Sequence, residues 1–216
     1  MNNIKLINCP LCGDKNHEIF VNDFYLCKCC GGIFKDQSKL LNTVHEQERY
    51  ELHSDDIFDP GYHKFVSPII NSVIKDFKSC AKGLDFGAGH APVVTKILKD
   101  HGFEMKMYDP YFHKYPQNLD TTYDFITSCE VIEHFYNPKN EFTLLKSMLK
   151  DTGILYCMTH LYDNSINFDK WYYKNDPTHV FIYQYKTIEY IKNHFGFSNF
   201  SIDKRLITFY NSISKN

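Results

Sequence analysis

Short apolar segments alternate with amphipathic segments from Tyr62 to the end of the chain, and this alternation constrains the fold more than any other feature of the sequence. Apolar residues at helical spacing, such as Val66, Ile70 and Val73, mark the amphipathic segments. The segments predicted as strands are 81–86, 103–108, 123–127, 154–158, 197–202 and 206–210. Strands separated by helices predict an α/β fold with a doubly wound, mainly parallel sheet, whose ligand site lies at the carboxyl ends of the strands.

Two Cys-x-x-Cys pairs lie within the first 30 residues: Cys9 with Cys12, and Cys27 with Cys30. A glycine follows each pair and allows the backbone to turn beneath the converging sulfur atoms. In a chain without a visible secretory signal, two such pairs indicate a tetrahedral zinc site rather than disulfides. Cys29 is then a spare thiol. Because four thiolates saturate the ion, we expect a closed, structural Zn²⁺ site in a zinc ribbon.

These features divide the chain into three parts. Residues 1–40 form the predicted zinc ribbon, residues 41–61 an acidic connector, and residues 62–216 the main domain. We expect the ribbon to pack on the main domain or to contact a substrate, and the connector to be a solvated linker or helix. No apolar run approaches the roughly 18 residues that span a bilayer, and residues 1–11 do not resemble a secretory signal. We therefore expect a soluble, cytoplasmic protein with no membrane partner.

The loop after the first strand of the main domain predicts the class of ligand. Gly87 and Gly89 lie where a strand must turn sharply and where a ligand can lie against the backbone. Asp109 follows at the end of the next strand, where a carboxylate can accept the hydroxyl groups of a ribose. Pro92 stands where a dinucleotide-binding motif has a third small residue, and this weakens a nicotinamide or flavin interpretation. Asp85, inside the motif, suits a ligand with a cationic end.

The sequence resembles class I S-adenosylmethionine-dependent methyltransferases over about residues 62–210. The motifs that carry the resemblance are Leu84-Asp85-Phe86-Gly87-Ala88-Gly89, Tyr108-Asp109-Pro110, Tyr123-Asp124-Phe125-Ile126 and Glu130-Val131-Ile132-Glu133-His134. More narrowly, it is similar to small bacterial members with an N-terminal zinc ribbon and a late Trp-Tyr-Tyr and Asp-Pro-Thr-His segment, here at 171–173 and 176–179. The resemblance implies a Rossmann-like, seven-stranded sheet with one antiparallel strand, and S-adenosylmethionine as cofactor.

The resemblance also implies roles for individual residues. Gly87 and Gly89 would line the methionine end of the cofactor, Asp109 would hold the ribose, and Glu130 would lie near the amino-acid moiety. Leu119 and Asp120 would lie near adenine. The complete set of expected cofactor-binding residues is Asp85, Gly87, Gly89, Asp109, Pro110, Leu119, Asp120 and Glu130. His90, directly after the glycine loop, departs from the family pattern.

The main candidate catalytic residues are histidines. Four of them follow predicted strands or lie in the late loop: His90, His134, His160 and His179. A sulfonium is an activated methyl donor, so the protein mainly has to align the acceptor and, for an O or N acceptor, remove a proton. His179 is the preferred base, oriented by Asp176, with His134 and Tyr172 as further candidate catalytic residues. A metal site made of two or three histidines and Glu133 is an alternative, although the spacing offers no His-x-x-x-His signature.

Three functions remain open from the sequence. The leading one is methyl transfer to a small molecule. The second is methylation of an RNA base, because some RNA-base methyltransferases begin with a similar Cys-Pro-Leu-Cys sequence. The formal charge of −2 and the lack of an Asn/Asp-Pro-Pro-aromatic motif argue against a nucleic-acid substrate. The third is a non-catalytic scaffold or a protein modifier. The acceptor atom and the oligomeric state are not determined.

Overall fold

A computed structural model describes residues 7–51 and 56–211, so residues 52–55 of the acidic connector and both chain ends lie outside the described residues. Six strands form the larger sheet: β4 Lys82–Phe86, β5 Glu104–Tyr108, β6 Tyr123–Cys129, β7 Leu149–Met158, β9 Asn199–Asp203 and β10 Leu206–Tyr210. Their order in the sheet is β5-β4-β6-β7-β10-β9. Strands β5, β4, β6 and β7 are parallel, whereas β10 is antiparallel to both β7 and β9. The sheet is therefore mainly parallel with one antiparallel strand, as expected.

The larger sheet has six strands among the described residues, and the expected seventh is not one of them. Only residues 109–122 connect β5, at the edge of the sheet, with β6 on the far side of β4. A further parallel strand would need two crossover connections, each of about a dozen residues. The connection instead contains a tight turn and the short 3₁₀ helix Pro116–Leu119. Its length explains why the seven-strand expectation is wrong for this part of the chain.

Helices cover both faces of this sheet. They are α2 Pro60–Asp76, α3 Val93–Asp100, α4 Pro138–Ser147 and α5 Tyr185–His194. Helices α2 and α3 pack with Phe125 in one apolar cluster, and α4 and α5 pack with Ile126 in another. Phe125 and Ile126 are neighbours in β6, and successive strand residues point to opposite faces. The alternation seen in the sequence therefore produces a three-layer structure that presents its loops at the carboxyl edge.

The cysteine-containing segment contributes the first three strands of a second, four-stranded sheet. Its first three strands are β1 His17–Val21, β2 Phe24–Cys27 and β3 Ile33–Lys35. The fourth strand, β8 Phe181–Ile182, comes from the main part of the chain and pairs antiparallel with β3. Phe34 and Phe181 are both buried in the larger apolar cluster. The segment packs on the main domain, as expected, and the two share a sheet.

The acidic connector contains the helix α1 Thr43–Glu51. Glu46 on this helix is only 8% exposed. The helical alternative for the connector is confirmed, but the helix is not fully solvated. Helix α2 begins at Pro60, and the Asp59 carboxylate caps it by accepting a hydrogen bond from the Gly61 N–H at 2.8 Å. Within the described ranges, no helix is long and apolar enough to cross a membrane.

Candidate active site and cysteine cluster

A cavity of about 560 Å³ opens at the carboxyl ends of β4, β5 and β6. Its volume is in the range of small-molecule and cofactor sites. Both loop glycines and both predicted catalytic histidines contribute to its wall. The expected site residues that line it are Gly87, Gly89, Asp109, Pro110, Glu130, His134, Asp176 and His179. The topology therefore brings together residues that are widely separated in the sequence.

The glycine loop requires left-handed backbone at both glycines, with φ of +77° at Gly87 and +63° at Gly89. A Cβ at Gly87 would lie 2.5 Å from a methyl carbon of Val131, whereas a Cβ at Gly89 would meet no heavy atom within 4 Å. Gly87 also donates a backbone hydrogen bond to the Tyr108 carbonyl at 2.8 Å. The absence of a side chain at Gly87 thus makes room for Val131, whereas the absence of a side chain at Gly89 leaves open space in the cavity wall.

The Asp109 carboxylate organises the same loop. One oxygen accepts the Gly89 N–H at 3.0 Å, and the other accepts the N–H groups of Tyr111 at 2.8 Å and Phe112 at 3.0 Å. A carboxylate has about four acceptor sites, so three backbone bonds leave little capacity for a ligand. The role of Asp109 in holding a ribose remains a prediction, and the structure adds a second role in shaping the loop.

Three expected cofactor residues lie outside the cavity wall. Asp85 is buried below the loop, where its carboxylate accepts hydrogen bonds from Thr95 at 2.8 Å and Thr127 at 3.0 Å. Burial raises the pKa of Asp85 to about 6 despite these hydrogen bonds. Leu119 packs against the apolar core and Asp120 is exposed. The structure thus places Asp85 below the loop as one of its supports, and it does not bring Leu119 or Asp120 to the cavity wall; the cofactor-binding roles of all three stay predictions.

Glu130 lies in the cavity wall directly after β6 and has left-handed backbone, with φ of +51°. Its carboxylate forms an ion pair with Arg205, with 3.2 Å between Oε1 and Nη1. Burial and the nearby negative charge of Glu133 raise the pKa of Glu130 above its usual range. Left-handed backbone at a half-buried residue in a cavity wall is typical of functional sites.

The rings of His134 and His179 are 4.8 Å apart between centroids. Nδ1 of His179 lies 2.7 Å from the Tyr173 carbonyl oxygen, and Nδ1 of His134 lies 3.0 Å from that of Thr178. Because a carbonyl only accepts, each Nδ1 carries the hydrogen, and the lone pair of the neutral ring is on Nε2. Burial and the positive charge that His134 can carry lower the pKa of His179 to about 4. His179 is therefore neutral at physiological pH.

Asp176 lies in the cavity wall but does not hydrogen-bond the His179 ring, which corrects the expected His–Asp pair. One oxygen accepts the N–H of Thr178 at 2.9 Å and its hydroxyl at 2.6 Å, and the other pairs with Arg49 at 3.3 Å. The Tyr173 carbonyl orients the imidazole instead. The cause is local: Asp176 caps the turn that leads to His179, and its acceptor sites are used within that turn.

Tyr172 lines an adjoining cleft of about 350 Å³ rather than the main cavity. The cleft shares Glu130, Asp176 and His179 with that cavity. Tyr172 is 62% exposed, and its hydroxyl accepts a hydrogen bond from Arg205 at 2.6 Å. The cleft therefore reaches His179 in addition to the main cavity.

Sequence reasoning missed the contribution of α1 and of several aromatic residues to the cavity. Glu46 lines the cavity and accepts a hydrogen bond from the Tyr111 hydroxyl at 2.8 Å. Tyr136 and Phe112 are also in the wall. The acidic composition of the connector suggested exposure, and no spacing signal distinguished Glu46 from its neighbours.

The four predicted zinc-binding cysteines come together at one end of the smaller sheet, while Cys29 remains exposed and outside the set. The Sγ atoms of Cys9 and Cys30 are 3.5 Å apart, and those of Cys12 and Cys27 are 3.4 Å apart. Zn–S bonds of about 2.3 Å in a tetrahedron require S···S distances of about 3.8 Å. All four Sγ atoms lie within 4.8 Å of one another. Donor type, number and spacing all fit a tetrahedral zinc ion.

Solved structures similar to this chain are methyltransferases, and the likeness is one of fold. An O-methyltransferase family protein from Burkholderia thailandensis has a TM-score of 0.53 and 10% identity, with 76% of this chain and 61% of that chain covered. Phosphoethanolamine N-methyltransferase 2 from Haemonchus contortus, in complex with phosphomonomethylethanolamine and S-adenosylhomocysteine, has a TM-score of 0.54 and 15% identity, with 74% and 43% covered. The chain thus spans less than two thirds of either protein.

No curated protein sequence matches the chain. A model of the methyltransferase domain family, in contrast, matches residues 59–202, which is more than half of the chain. The matched segment contains the glycine loop, Asp109, Glu130 and both histidines of the cavity. The chain therefore belongs to the methyltransferase domain family.

Proposed function

We propose that this methyltransferase transfers a methyl group from S-adenosylmethionine to a small-molecule acceptor. The observation that carries the proposal is a single cavity lined by the glycine loop and Asp109 together with Glu130, His134 and His179. This arrangement offers a nucleoside site and a site of acid–base or Lewis-acid chemistry in one enclosure.

The chain's own residues fit the cofactor at several points. Gly89 has open space on its cavity side, which allows a ligand to lie against the backbone. Asp109 is 7% exposed and lies in the cavity wall, where its remaining acceptor capacity suits a ribose hydroxyl. Glu130 provides a carboxylate for the amino group of the methionine moiety. When bound, S-adenosylmethionine supplies an activated methyl group on its sulfonium.

The adjoining cleft suits the acceptor. Its volume of about 350 Å³ admits a small molecule. His179 lies in the walls of both the cleft and the main cavity, so it can contact an acceptor next to the methyl group. With the hydrogen on Nδ1, Nε2 of His179 can accept a proton from an acceptor hydroxyl or amine. We propose that His179 assists deprotonation in this way, with Asp176 holding the turn that positions it.

We also propose that Cys9, Cys12, Cys27 and Cys30 bind a structural zinc ion. The sheet beside them ends in β8, which directly follows His179 and Val180. Lys35 in β3 donates its backbone N–H to the Val180 carbonyl at 2.9 Å. A folded cysteine cluster therefore supports the position of His179. Four reduced thiols also favour action in the cytoplasm, where thiols stay reduced.

Transfer of isotope from labelled S-adenosylmethionine to a metabolite extract tests the proposed function. Wild-type protein is expected to label a small molecule, and His179→Ala to reduce turnover by about 10²–10⁴-fold while affinity for the cofactor stays constant. His101→Ala, on an exposed helix end, is the matched control and should behave as wild type. Labelling of RNA instead of small molecules would support the alternative acceptor, and failure to bind S-adenosylmethionine in calorimetry would refute the proposal.

A further inference from the structure

Glu133, His134 and His179 form a compact cluster at the junction of two chain segments. Glu133 and His134 lie in the 3₁₀ turn Ile132–His134 after β6, and His179 lies just before β8. The Val180 N–H donates to the Glu133 carbonyl at 2.9 Å, which ties the two segments together. One potential ligand atom from each side chain lies within 4.8 Å of the others. Adjacent ligand atoms of an ion with bonds of about 2.1 Å lie about 3.0–3.4 Å apart, so each ligand atom needs to move by about 1 Å at most for coordination.

The hydrogen-bonding of both imidazoles suits metal ligation. Each Nδ1–H donates to a backbone carbonyl, that of Thr178 for His134 and that of Tyr173 for His179. Histidines that bind metals commonly donate their other ring N–H to a carbonyl or carboxylate, which fixes the ring and its tautomer. The Nε2 atoms of both rings consequently carry the lone pairs that a metal requires.

The buried carboxylate of Glu133 independently indicates a cation-binding site. Its side chain is fully buried, and Oε1 accepts a hydrogen bond from the Tyr173 hydroxyl. Oε2 is also buried and has no hydrogen-bond partner within the part of the chain that the structure describes. A buried acceptor without a partner costs about 1–3 kcal/mol, and more when the group is charged. A cation at the cluster would satisfy this oxygen.

We propose that Glu133, His134 and His179 bind one divalent first-row transition-metal ion, separate from the cysteine cluster, at the acceptor side of the cavity. Two imidazole nitrogens with one carboxylate favour Zn²⁺, Fe²⁺, Mn²⁺ or Co²⁺, whereas Mg²⁺ and Ca²⁺ prefer oxygen ligands alone. Three protein ligands leave coordination positions for an oxygen of the acceptor. His134 and His179 line the cavity, so such an oxygen lies within reach of the methyl donor.

This inference rests on the proposed methyl transfer, specifies its acceptor as an oxygen nucleophile, and replaces direct proton transfer to His179 with deprotonation at the metal ion. A metal ion lowers the pKa of a bound hydroxyl group, so the O–H bond breaks and the proton passes to solvent. The acceptor oxygen then forms a bond to the methyl carbon while the S–C bond breaks. The products are the methyl ether or ester, S-adenosylhomocysteine and one proton. In this arrangement His179 assists deprotonation as a metal ligand, not as the proton acceptor.

Titration with Mn²⁺, followed by electron paramagnetic resonance of the free ion, tests the site in the full chain after its zinc content has been measured. Wild type with one zinc per chain should bind one Mn²⁺. Glu133→Gln, His134→Gln and His179→Gln should each weaken Mn²⁺ binding at least 10-fold, and His101→Gln should not. His134→Gln changes a partly exposed residue, so it keeps the test decisive if a variant of buried Glu133 misfolds.

Two results would overturn the inference: wild type that binds no Mn²⁺ or second Zn²⁺, or ligand variants that bind Mn²⁺ as tightly as His101→Gln. Calorimetry with S-adenosylmethionine on the same samples separates this failure from failure of the proposed function. A chain that binds S-adenosylmethionine and methylates an acceptor equally well after chelation of the second metal has the proposed function without the metal site. A chain that binds Mn²⁺ but not S-adenosylmethionine has the metal site without the proposed function.

Discussion

Substitution of Gly89 by alanine tests whether a ligand lies against the glycine loop. Gly89 has φ of +63° and Gly196, after helix α5, has φ of +72°; a Cβ at either position meets no heavy atom within 4 Å. Left-handed backbone costs an alanine about 1–2 kcal/mol, and the loss of glycine's freedom in the unfolded chain offsets about 0.4–1 kcal/mol of that. Gly89→Ala and Gly196→Ala should therefore both fold and lose about 1 kcal/mol of unfolding free energy.

The two variants differ in what their methyl groups face. Gly89 lines the cavity, and Gly196 does not. If the cofactor lies against the backbone at Gly89, the added methyl group should displace the cofactor and reduce its binding free energy by about 1–3 kcal/mol, as overpacking does in a core. That corresponds to roughly 5- to 150-fold weaker binding. Calorimetry with S-adenosylmethionine should show this loss for Gly89→Ala and wild-type affinity for Gly196→Ala.

Equal affinity of the two variants would refute the placement of the cofactor at this loop. Chemical denaturation of both variants is the necessary check. If Gly89→Ala loses more unfolding free energy than Gly196→Ala, a change in its folded structure could account for the weaker binding. Gly87→Ala shows how large the stability loss is when an added methyl group does disrupt the loop. Its Cβ would overlap both methyl groups of Val131, at 2.5 and 2.6 Å, so it should lose more stability than either of the other two variants.

The remaining predictions concern residues of the glycine-loop region and the cysteine cluster. Asp109→Ala should weaken S-adenosylmethionine binding by about 1.5–3 kcal/mol in calorimetry and also lower stability, because three backbone N–H groups lose their acceptor; unchanged affinity would contradict the ribose assignment. Cys12→Ser should release zinc, measured by elemental analysis, and reduce solubility before activity; a zinc content equal to wild type would contradict the four-cysteine site. The raised pKa of Asp85, about 6, means that the folded state binds this proton more tightly than the unfolded state. Relative to Asp85→Asn, wild type should therefore lose up to about 3 kcal/mol of stability as pH rises from about 4 to 6, measured by denaturation at each pH.

The cysteine cluster and the order of strands and helices could be predicted because their signals are local. Cys9 and Cys12 are close in sequence, and the left-handed Gly13 after them, with φ of +75°, needs no distant contact to form its turn. The strand β10 Leu206–Tyr210 was predicted with the observed bounds, and other strands of the larger sheet differ by a few residues at their ends. The largest difference is at β7, which begins at Leu149 because the chain re-enters the sheet directly after α4. Helix and strand periods are properties of neighbouring residues, so the sequence alone carries them.

The sequence by itself thus determined the α/β class, the glycine loop, the Asp109 position and the two Cys-x-x-Cys turns. Only the tertiary structure decided which partners these residues have. It placed Glu46 of the connector in the cavity wall, assigned the orientation of His179 to the Tyr173 carbonyl instead of Asp176, and paired β8 with β3. It also left Oε2 of Glu133 buried beside two imidazoles. The physical reason is that turns and periods follow from backbone geometry between near neighbours, whereas these contacts depend on which distant surfaces pack together.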